Sequence, residues 1–499
     1  MSQDNQLNNQ LIVKRIFNNG IVDETIIDEY VAPQGTVSLS INGHFDKLGV
    51  WQTRKGTTQL GTTQIVNAHG IKGLYQFLDE GTGTNNQLIA VCNTVAYYLN
   101  GSNVWTSKRT GLTADTKTRF TSFLDYVWMV NNSEATAIWD GNTANNFVTN
   151  GNATSAPIGK FIETFRNRVW IANNNTYPSR ITYSSIPSTD ATPVVVWTGS
   201  DSSYIDIAPG DGEDITAIKR FSKILWVFKE NFMYPIYSIN QTEPDATIFV
   251  GTMSQESVDV AKDGMYWHHR SGIYRMRSGE GQPKEISKPV YGIIKNITLA
   301  NYTEIASWHD DDHVYFYIGN VTLDNGLTIS NCVLRWTIST EIWTTYSYPS
   351  PYVVGAQYNN GTNIVRIVGN NNGYVFTFDS GQTDDGSTTT NGTPIFYHLE
   401  TQFNQFTQLR SERTAIKSIS VLHENASGVK FGYRADLDTV NVTKPIGTLS
   451  NKTNTVFDSL NIKSHRIKFV LSGTSIGNPF TFQGYEIIDY QNEGIIKDI

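Results

Sequence analysis

The densest group of potential metal ligands in this chain is the run His309-Asp310-Asp311-Asp312-His313. Three successive carboxylates could supply the oxygen ligands that calcium prefers. Histidines at positions i and i+4 share a face only on a helix, whereas this run separates two apolar segments of strand character. Because aspartate favours turns, the pattern favours a solvated hairpin tip, with calcium binding by Asp310, Asp311 and Asp312 as the alternative.

Two other groups could carry acid–base chemistry. Asp211-Gly212-Glu213-Asp214 is acidic, but glycosidases need two acids about 5–10 Å apart, and the sequence does not pair these residues. A turn that connects two repeats is the interpretation we favour for this run. His268-His269 lies in a strand pattern, where neighbouring side chains point to opposite faces. We therefore expect one of these histidines in the core and the other exposed, with no catalytic role.

The familiar nucleophile and phosphate-binding motifs are missing from the sequence. It contains neither a Gly-x-Ser-x-Gly elbow nor a Gly-rich phosphate loop. Cys92 and Cys332 form no Cys-x-x-Cys pair, and each lies in an apolar strand pattern, so we expect two buried free thiols. We predict no cofactor, no catalytic residues and a protein that is not an enzyme.

The amino-acid composition limits the classes of partner that we expect for this protein. Charged residues make up 17% of the 499 residues, the net charge is −8, and no basic run typical of nucleic-acid binding is present. The start, Met1 to Gln6, lacks the basic and apolar regions of a secretory signal, so we expect none. No stretch approaches the 18 or more apolar residues of a membrane span.

A repeated hairpin organises the chain. Each copy has an apolar strand end, a short polar turn and an aliphatic–aromatic strand start, and copies follow at a spacing of roughly 40–55 residues, the period of propeller blades. Two weaker copies flank the clear ones, at residues 88–91 and 364–368. The clear copies cover residues 123–128, 165–170, 221–226, 260–267 and 308–316.

This repeat predicts an all-β protein with a six- or seven-bladed β-propeller, since one blade cannot bury both of its faces alone. Trp128, Trp170 and Trp226 occupy one position of the repeat and should be buried at matching places. Asn100-Gly101 should form a hairpin turn, because both residues tolerate positive φ. A strand from residues 40–66 or 394–403 is expected to complete a partial blade and so to close the ring.

Three segments follow from these patterns. Residues 1–66 form an N-terminal segment with short strands, and residues 67–385 form the propeller. After a polar linker, residues 394–499 alternate between apolar and polar side chains in strands such as 416–422 and 480–487. Such alternation predicts a C-terminal β-sandwich resembling a jelly roll.

Two segments carry a resemblance to a known family. Leu48-Gly49, followed by Arg54 and Gly56, resembles a Leu-Gly-x-x-x-x-Arg-x-Gly run that precedes the propeller in tailed-phage virion proteins. Residues 165–173 and 180–184 look similar to the blade hairpins of the same proteins. The chain is thus similar to phage tail tube or nozzle proteins with a β-propeller body and β-sandwich additions.

The resemblance implies a structural role in the virion tail. It implies that the protein assembles in the host cytoplasm into a homo-oligomeric ring. This ring would continue the path of DNA ejection, as a nozzle, tail tube or tail hub does, and other tail proteins would dock on it. An acidic balance suits a lumen in which DNA slides, because such a lumen does not bind phosphates. Two alternatives stay open: a glycan-binding propeller that recognises a host surface, and, less favoured, a propeller glycoside hydrolase.

Overall fold

The computed structural model of the chain is almost entirely β-structure. The only α-helix of the described chain is α1, Tyr291–Ile294, and the 3-10 helices are Gly151–Ala153, Gln255–Ser257, Lys288–Val290 and Leu299–Glu304. The residues that the structure describes are 17, 19–23, 33, 35–46, 48–81, 83, 85–189, 194–241, 244, 248–386, 392–405, 412–435, 442–475 and 479–495.

The strands are numbered in chain order. The first eleven are β1 Val37–Ile41, β2 Gly43–Phe45, β3 Trp51–Thr53, β4 Thr57–Leu60, β5 Ile71–Phe77, β6 Gln87–Cys92, β7 Val95–Leu99, β8 Trp105–Arg109, β9 Arg119–Phe123, β10 Tyr126–Val130 and β11 Ala137–Trp139. The next eleven are β12 Phe161–Phe165, β13 Arg168–Ala172, β14 Arg180–Tyr183, β15 Ser203–Asp206, β16 Ala217–Phe221, β17 Ile224–Phe228, β18 Met233–Ile236, β19 Asp259–Ala261, β20 Gly264–His269, β21 Gly272–Met276 and β22 Lys284–Glu285.

The remaining strands complete the last blades and the C-terminal part. They are β23 Ala306–His309, β24 His313–Thr322, β25 Thr328–Thr337, β26 Ile342–Tyr346, β27 Tyr352–Asn359, β28 Ile364–Asn370, β29 Val375–Phe378, β30 Ile395–Thr401, β31 Asn404–Gln405, β32 Glu412–Glu424, β33 Lys430–Ala435, β34 Lys444–Thr448, β35 Asn454–Phe457, β36 Ile462–Ser464, β37 Arg466–Ser475 and β38 Thr481–Ile495.

Seven antiparallel blades can be counted in the described chain, in agreement with the predicted propeller. Blades 1 to 6 begin on the inner strands β5, β9, β12, β16, β19 and β23, and blade 7 begins on β27. Each of the five predicted hairpins is the connection between the first and second strands of a blade. The two weaker copies are second strands, β6 and β28.

The ring is closed by a strand from the N-terminal side. Blade 7 contains β27, β28 and β29, and its outer strand is β4, which pairs antiparallel with β29 from Val375↔Leu60 to Phe378↔Thr57. The predicted closing strand is therefore confirmed, and it comes from the first of the two candidate ranges. Because the first and last parts of the propeller share one sheet, neither can separate without breaking backbone hydrogen bonds.

Turn geometry departs from one prediction. Neither Asn100 nor Gly101 has a positive φ, and the positive value in this loop belongs to Asn103. The Asn100 side chain instead accepts hydrogen bonds from the backbone N–H groups of Ser102 and Val104. Since β7 and β8 pair antiparallel on either side of this loop, the predicted hairpin is confirmed, but the side chain of Asn100 and not positive φ at Asn100 and Gly101 stabilises its turn.

A two-layered module lies beside the propeller. One of its sheets runs β2-β3-β38-β32-β35, and the other continues from the outer strand of blade 6 as β26-β1-β30-β37-β33-β34. The predicted C-terminal sandwich is thus present, and the strands of the N-terminal segment belong to the same two sheets. The predicted boundaries at residues 66, 385 and 394 stay predictions, and residues 1–16 and 24–32 lie outside the described chain.

Aromatic side chains fill the spaces between blades. Trp128, Trp170 and Trp226 all lie on the second strand of a blade, and 0%, 0% and 7% of their surfaces are exposed. Their indole groups pack at corresponding positions, opposite residues of the inner strand. The predicted burial of these tryptophans is confirmed, and so is that of the free thiols Cys92 and Cys332.

Candidate functional site

The carboxylates proposed as calcium ligands hold the hairpin of blade 6 together. Asp310 accepts hydrogen bonds from the backbone of Asp312 and His313 and pairs with the guanidinium of Arg366 on blade 7. Asp312 accepts from the backbone and hydroxyl of Ser339, at 3.0 and 2.7 Å. Both carboxylates therefore have hydrogen-bond or ion-pair partners within the protein.

The histidines at the ends of this run turn away from each other. His309 Nδ1 lies 2.7 Å from Asp259 of blade 5, whereas His313 Nδ1 lies 2.9 Å from Asp310. In the part of the chain that the structure describes, no three His, Cys, Asp or Glu side chains lie close enough together to hold a metal ion. The calcium alternative stays a prediction without geometric support.

The prediction that one histidine of His268-His269 is exposed is wrong. Only 2% of His268 and 9% of His269 are exposed, because a second strand of a blade is covered on both faces by neighbouring blades. Burial lowers the pKa of His268 to about 3 and that of His269 to about 4. The ring of His268 packs on Tyr302, with ring centroids 5.3 Å apart.

The acidic run Asp211 to Asp214 connects blade 3 to blade 4, as predicted. Lys229 Nζ, on a fully buried side chain, donates to both oxygens of Asp211 at 2.7 and 2.8 Å. Glu213 accepts hydrogen bonds from the backbone and side chain of Asn231. Neither carboxylate is placed to act as a catalytic acid or base, since donors of the next blade already bond its oxygens.

A cavity of about 200 Å³ lies on the propeller axis. Its lining takes residues from the inner strand of every blade: Tyr75, Phe120, Glu163, Lys219, Asp259, Ser307 and Val354. A second cavity of about 300 Å³ adjoins it at the face where the inner strands begin. Lys117, Arg119 and Glu256 line both cavities.

Ion pairs cross the axis between these cavities. Arg119 on blade 2 lies 2.7 Å from Glu256, which precedes blade 5. Lys117 lies 3.5 Å from Glu256 and 3.4 Å from Glu304, which precedes blade 6. Because blade 2 stands across the ring from blades 5 and 6, these pairs bridge the channel and close it to any polymer.

The axial carboxylates are held in their ionised forms. Burial acts to raise the pKa of Glu256, but Arg119 and Lys117 outweigh burial and hold this pKa at about 2. Burial likewise acts to raise the pKa of Asp259, and His309 lowers it below its ordinary value. A general acid needs a raised pKa. Glu256 and Asp259 are therefore suited to ion pairing and not to proton donation.

Arg54 lies where the propeller meets the sandwich. Gly49 and Gly56 are close to it in the sequence. The guanidinium is fully buried and contacts both oxygens of Asp384 at 2.6 Å. It also donates to the Asn42 side chain and to the Ser347 carbonyl at the end of blade 6. Gly56 is required because a Cβ there would lie 1.9 Å from the carbonyl oxygen of Thr383.

Blades 3 and 4 and their connecting loops carry many of the exposed apolar side chains, and we call this set of residues the rim patch. Seven of the nineteen large hydrophobic side chains that are exposed in the described chain fall within it. Exposed apolar patches of this kind mark interaction surfaces more often than scattered residues do. Its members are Tyr177, Ile186, Val194, Val196, Tyr204, Tyr237 and Phe249.

Two tyrosines of the rim patch form an aromatic–cation stack with Arg180. The Arg180 guanidinium lies 4.0 Å from the ring centroid of Tyr177 and 3.6 Å from that of Tyr204. Asp206 holds this guanidinium through two hydrogen bonds. Both tyrosine rings are half exposed, and Tyr204 lies on β15, the outer strand of its sheet. The stack therefore presents fixed aromatic surface beside an open strand edge.

Sequence reasoning missed the rim patch and the axial ion pairs. Tyr177 and Tyr204 stand 27 positions apart, and only the pairing of β14 with β15 brings them to one guanidinium. Arg119 and Glu256 belong to different blades, so no local pattern pairs them. Ile205 between polar residues is a signal that could have indicated the outer strand β15, and with it the exposed ring of Tyr204.

The comparisons with known proteins find only distant similarities. No family model and no curated protein matches the chain. Among solved structures, YCF48 from Cyanidioschyzon merolae is 9% identical over 65% of this chain and 98% of its own, with a TM-score of 0.41. The AfRom2 CNH domain is 10% identical over 65% of this chain and 99% of its own, with a TM-score of 0.41.

A third structure covers more of the chain. The extracellular domain of the putative one component system BT4673 from B. thetaiotaomicron is 11% identical over 89% of this chain and 62% of its own, with a TM-score of 0.44. At such identities and TM-scores these similarities carry no inference about function. None of the helices in the described ranges is long and apolar enough to cross a membrane.

Proposed function

We propose that this protein is a non-enzymatic structural component of a phage tail, of the nozzle, tail tube or tail-hub type. In this proposal copies of the chain associate into a ring that continues the path of DNA ejection in the virion, and other tail proteins dock on the ring. The observation that carries the proposal is the rim patch, a set of exposed apolar side chains on blades 3 and 4 of a propeller whose ring is closed.

The rim patch is suited to contact with a second copy of the chain. Its charged residues, Arg180 and Asp206, already neutralise each other, so burying the patch leaves no unpaired charge. Glu213 joins blades 3 and 4, because its backbone carbonyl accepts from the Ser179 hydroxyl and its carboxylate accepts from the Asn231 side chain. These hydrogen bonds hold the two blades together before contact, which lowers the entropic cost of association.

The axial ion pairs favour a version of this proposal in which DNA passes between subunits and not through each propeller. Arg119, Lys117 and Glu256 span the axis of each propeller, and the cavity beside them holds only about 200 Å³. A duplex requires a far wider lumen, so in this proposal the ring of subunits encloses the DNA.

The sequence motif of the proposed family supports the same proposal. Leu48, Gly49, Arg54 and Gly56 carry the resemblance, and Arg54 and Gly56 lie where the closing strand of the propeller meets the sandwich. The motif thus corresponds to the connection of the two modules and not to a catalytic site.

Electron microscopy tests the proposal. Antibodies against the purified chain should label the tails of phage particles that contain it, at the end distal to the capsid. Labelling of infected-cell lysate without any labelling of purified particles would reject a virion role.

A glycan-binding role is the second candidate, favoured by the half-exposed rings of Tyr177 and Tyr204. Aromatic faces of this kind can stack on sugar rings. Competable micromolar hits on a glycan array that disappear in Tyr204→Ala would favour this role over self-association.

A further inference from the structure

Asparagine followed by glycine is the dipeptide most prone to spontaneous deamidation, and this chain contains several copies. The glycine backbone nitrogen attacks the side-chain carbonyl carbon of the asparagine, and the missing Cβ of glycine leaves this nitrogen accessible. Folding decides which copies react, because packing and hydrogen bonds can keep the two reacting groups apart. Within the described residues these pairs begin at Asn19, Asn42, Asn100, Asn150, Asn325, Asn360 and Asn372.

Packing restrains the pairs in which the glycine is buried. These glycines are Gly20, Gly43 and Gly373, and a Cβ added to them would lie 2.8, 2.0 and 2.1 Å from a neighbouring atom. So little space leaves no room for the five-membered ring that the reaction forms. The pairs that have an exposed glycine begin at Asn100, Asn150, Asn325 and Asn360.

Hydrogen bonds restrain most of the exposed pairs. In each of them the asparagine Oδ1 accepts from a backbone N–H group two or more residues later. In two of them the attacking nitrogen is engaged as well, since Gly326 donates to the Leu323 carbonyl and Gly361 donates to the Asn359 side chain. These bonds must break before the nitrogen can reach the side-chain carbon. The restrained asparagines are Asn100, Asn325 and Asn360.

Asn150 and Gly151 lie in the loop between blades 2 and 3, and both residues are exposed. No hydrogen bond joins the Asn150 side chain or the Gly151 N–H to another of the described residues. The backbone of Asn150 is extended, with φ −106° and ψ −167°. A Cβ added to Gly151 would meet Ile138 Cδ1 only at 4.0 Å. Both reacting groups therefore have the space to rotate towards each other.

We propose that Asn150 is a site of spontaneous deamidation, which converts it to isoaspartate and aspartate. The Gly151 nitrogen loses its proton and bonds to the Asn150 Cγ, and the bond from Cγ to Nδ2 breaks as ammonia leaves with that proton. Water then opens the cyclic succinimide: opening at the main-chain carbonyl gives isoaspartate, and opening at the side-chain carbonyl gives aspartate. Water is the only co-reactant, and the loop gains a negative charge. The site does not depend on the proposed function.

The modified residue lies close to an anchor of blade 3. Asn152 is buried, its Oδ1 accepts from the Val195 N–H at 3.0 Å, and its carbonyl accepts from the Trp197 indole N–H at 3.2 Å. Isoaspartate adds a methylene group to the main chain two residues before this anchor. Deamidation of Asn150 should therefore displace Asn152 and loosen the segment that contains Val195 and Trp197.

Mass spectrometry of the full chain tests the site. The protein is incubated in heavy-oxygen water at mildly alkaline pH, and each asparagine is then assigned by peptide fragmentation. Deamidation at Asn150 should be about tenfold faster than at Asn325 or Asn360, where hydrogen bonds must first break. In urea, where the fold is lost, the three rates should become similar. A native rate at Asn150 no faster than the other two, or a difference that persists unchanged in urea, would overturn the proposal.

Asn150→Gln is the matched variant, because glutamine keeps the amide but forms a cyclic imide far more slowly. It should remove the isoaspartate that enzymatic methyl transfer detects in aged protein, whereas Asn325→Gln should retain it. Ageing should also speed amide hydrogen exchange at Val195 in the native chain and leave it unchanged in Asn150→Gln. Isoaspartate that survives in Asn150→Gln, or exchange at Val195 that rises equally in both proteins, would contradict the proposal.

Discussion

At the scale of single residues, buried aromatic and charged side chains occupy the contacts between blades and between modules. Trp170 illustrates the aromatic class: its ring centroid lies 4.7 Å from that of Tyr183, and its indole N–H donates to the Phe165 carbonyl at 3.0 Å. Repeat position alone predicted this burial, since each copy of the hairpin places an aromatic residue at the same point. The partners of buried charges were not predictable, because Arg54 and Asp384 are 330 positions apart.

Trp170→Ala should lower the free energy of unfolding by about 3–5 kcal/mol, through lost apolar transfer energy and the cavity left behind. Thermal or denaturant unfolding measures this change. Tyr237→Ala is the control, because 51% of Tyr237 is exposed, and it should change stability by no more than about 0.5 kcal/mol. Equal stability of Trp170→Ala and the native protein would mean that the indole does not support the blade contact.

His268 should make the protein less stable in acid. Burial lowers the pKa of His268 to about 3, whereas an unfolded histidine has a pKa of about 6.5. Between these values the unfolded state binds more protons, so stability falls as pH falls from 6.5 towards 3. Denaturant titrations from pH 7 to pH 4 should show a shallower decline for His268→Leu than for the native protein.

His309 provides a control of opposite sign. Burial acts to lower the pKa of His309, but Asp259 outweighs burial and raises this pKa above its ordinary value. The stabilisation from His309 is full below pH 6.5 and is lost as pH rises through the folded pKa. As pH falls through the folded pKa to about 6.5, His309 therefore adds stability to the native protein; His309→Gln should lack this gain and keep the native slope in more acid solution. The same change of slope in both variants would contradict these assignments.

At the scale of elements, the hairpins connecting first and second strands differ in turn geometry despite their common sequence pattern. Both turn residues have positive φ in Leu124–Asp125, Arg166–Asn167 and Ser222–Lys223. The turn Lys262–Asp263 of blade 5 has none. The polarity pattern and spacing of the strands predicted all of these hairpins. Their φ angles were not predictable, since none of the turns has the Asn-Gly sequence that typically indicates positive φ at both turn residues.

Lys223→Gly should raise the free energy of unfolding by about 1 kcal/mol, because glycine adopts the φ of 65° at this position without the strain of a Cβ. Lys262→Gly is the matched control in blade 5, where no positive φ exists for glycine to relieve. It should be neutral or destabilising, because glycine adds entropy to the unfolded chain. Chemical denaturation of both variants compares them, and stabilisation by Lys262→Gly alone would reverse the argument.

At the scale of the whole molecule, the two modules are joined by strands that cross between them. The closing strand β4 follows directly after β3 of the sandwich, and β1 pairs with β26 of blade 6 on one side and β30 on the other. The division into propeller and sandwich was predictable from the change in repeat pattern. The pairing of N-terminal strands with strands of both modules was not predictable, because no local sequence pattern indicates that residues 37–60 pair with the later blades.

Loss of Arg54 should weaken both modules together. Arg54→Met or Asp384→Leu alone should cost about 3–5 kcal/mol, because each leaves a buried charge without its partner. The double variant should cost much less than the sum of the two, which a double-mutant cycle measures. Separate unfolding of propeller and sandwich in the native protein, with no change in Arg54→Met, would argue against a shared junction.

Self-association through the rim patch is the central claim of the proposed function. Mass photometry of the purified protein measures it most directly, with Tyr204→Ser/Phe249→Ser as the variant and Leu299→Ser, an exposed leucine outside the patch, as the control. The native protein and Leu299→Ser should form one closed oligomer of defined mass, and the rim variant should remain monomeric. A native protein that stays monomeric at every concentration, or a rim variant that assembles as the native protein does, would contradict the claim.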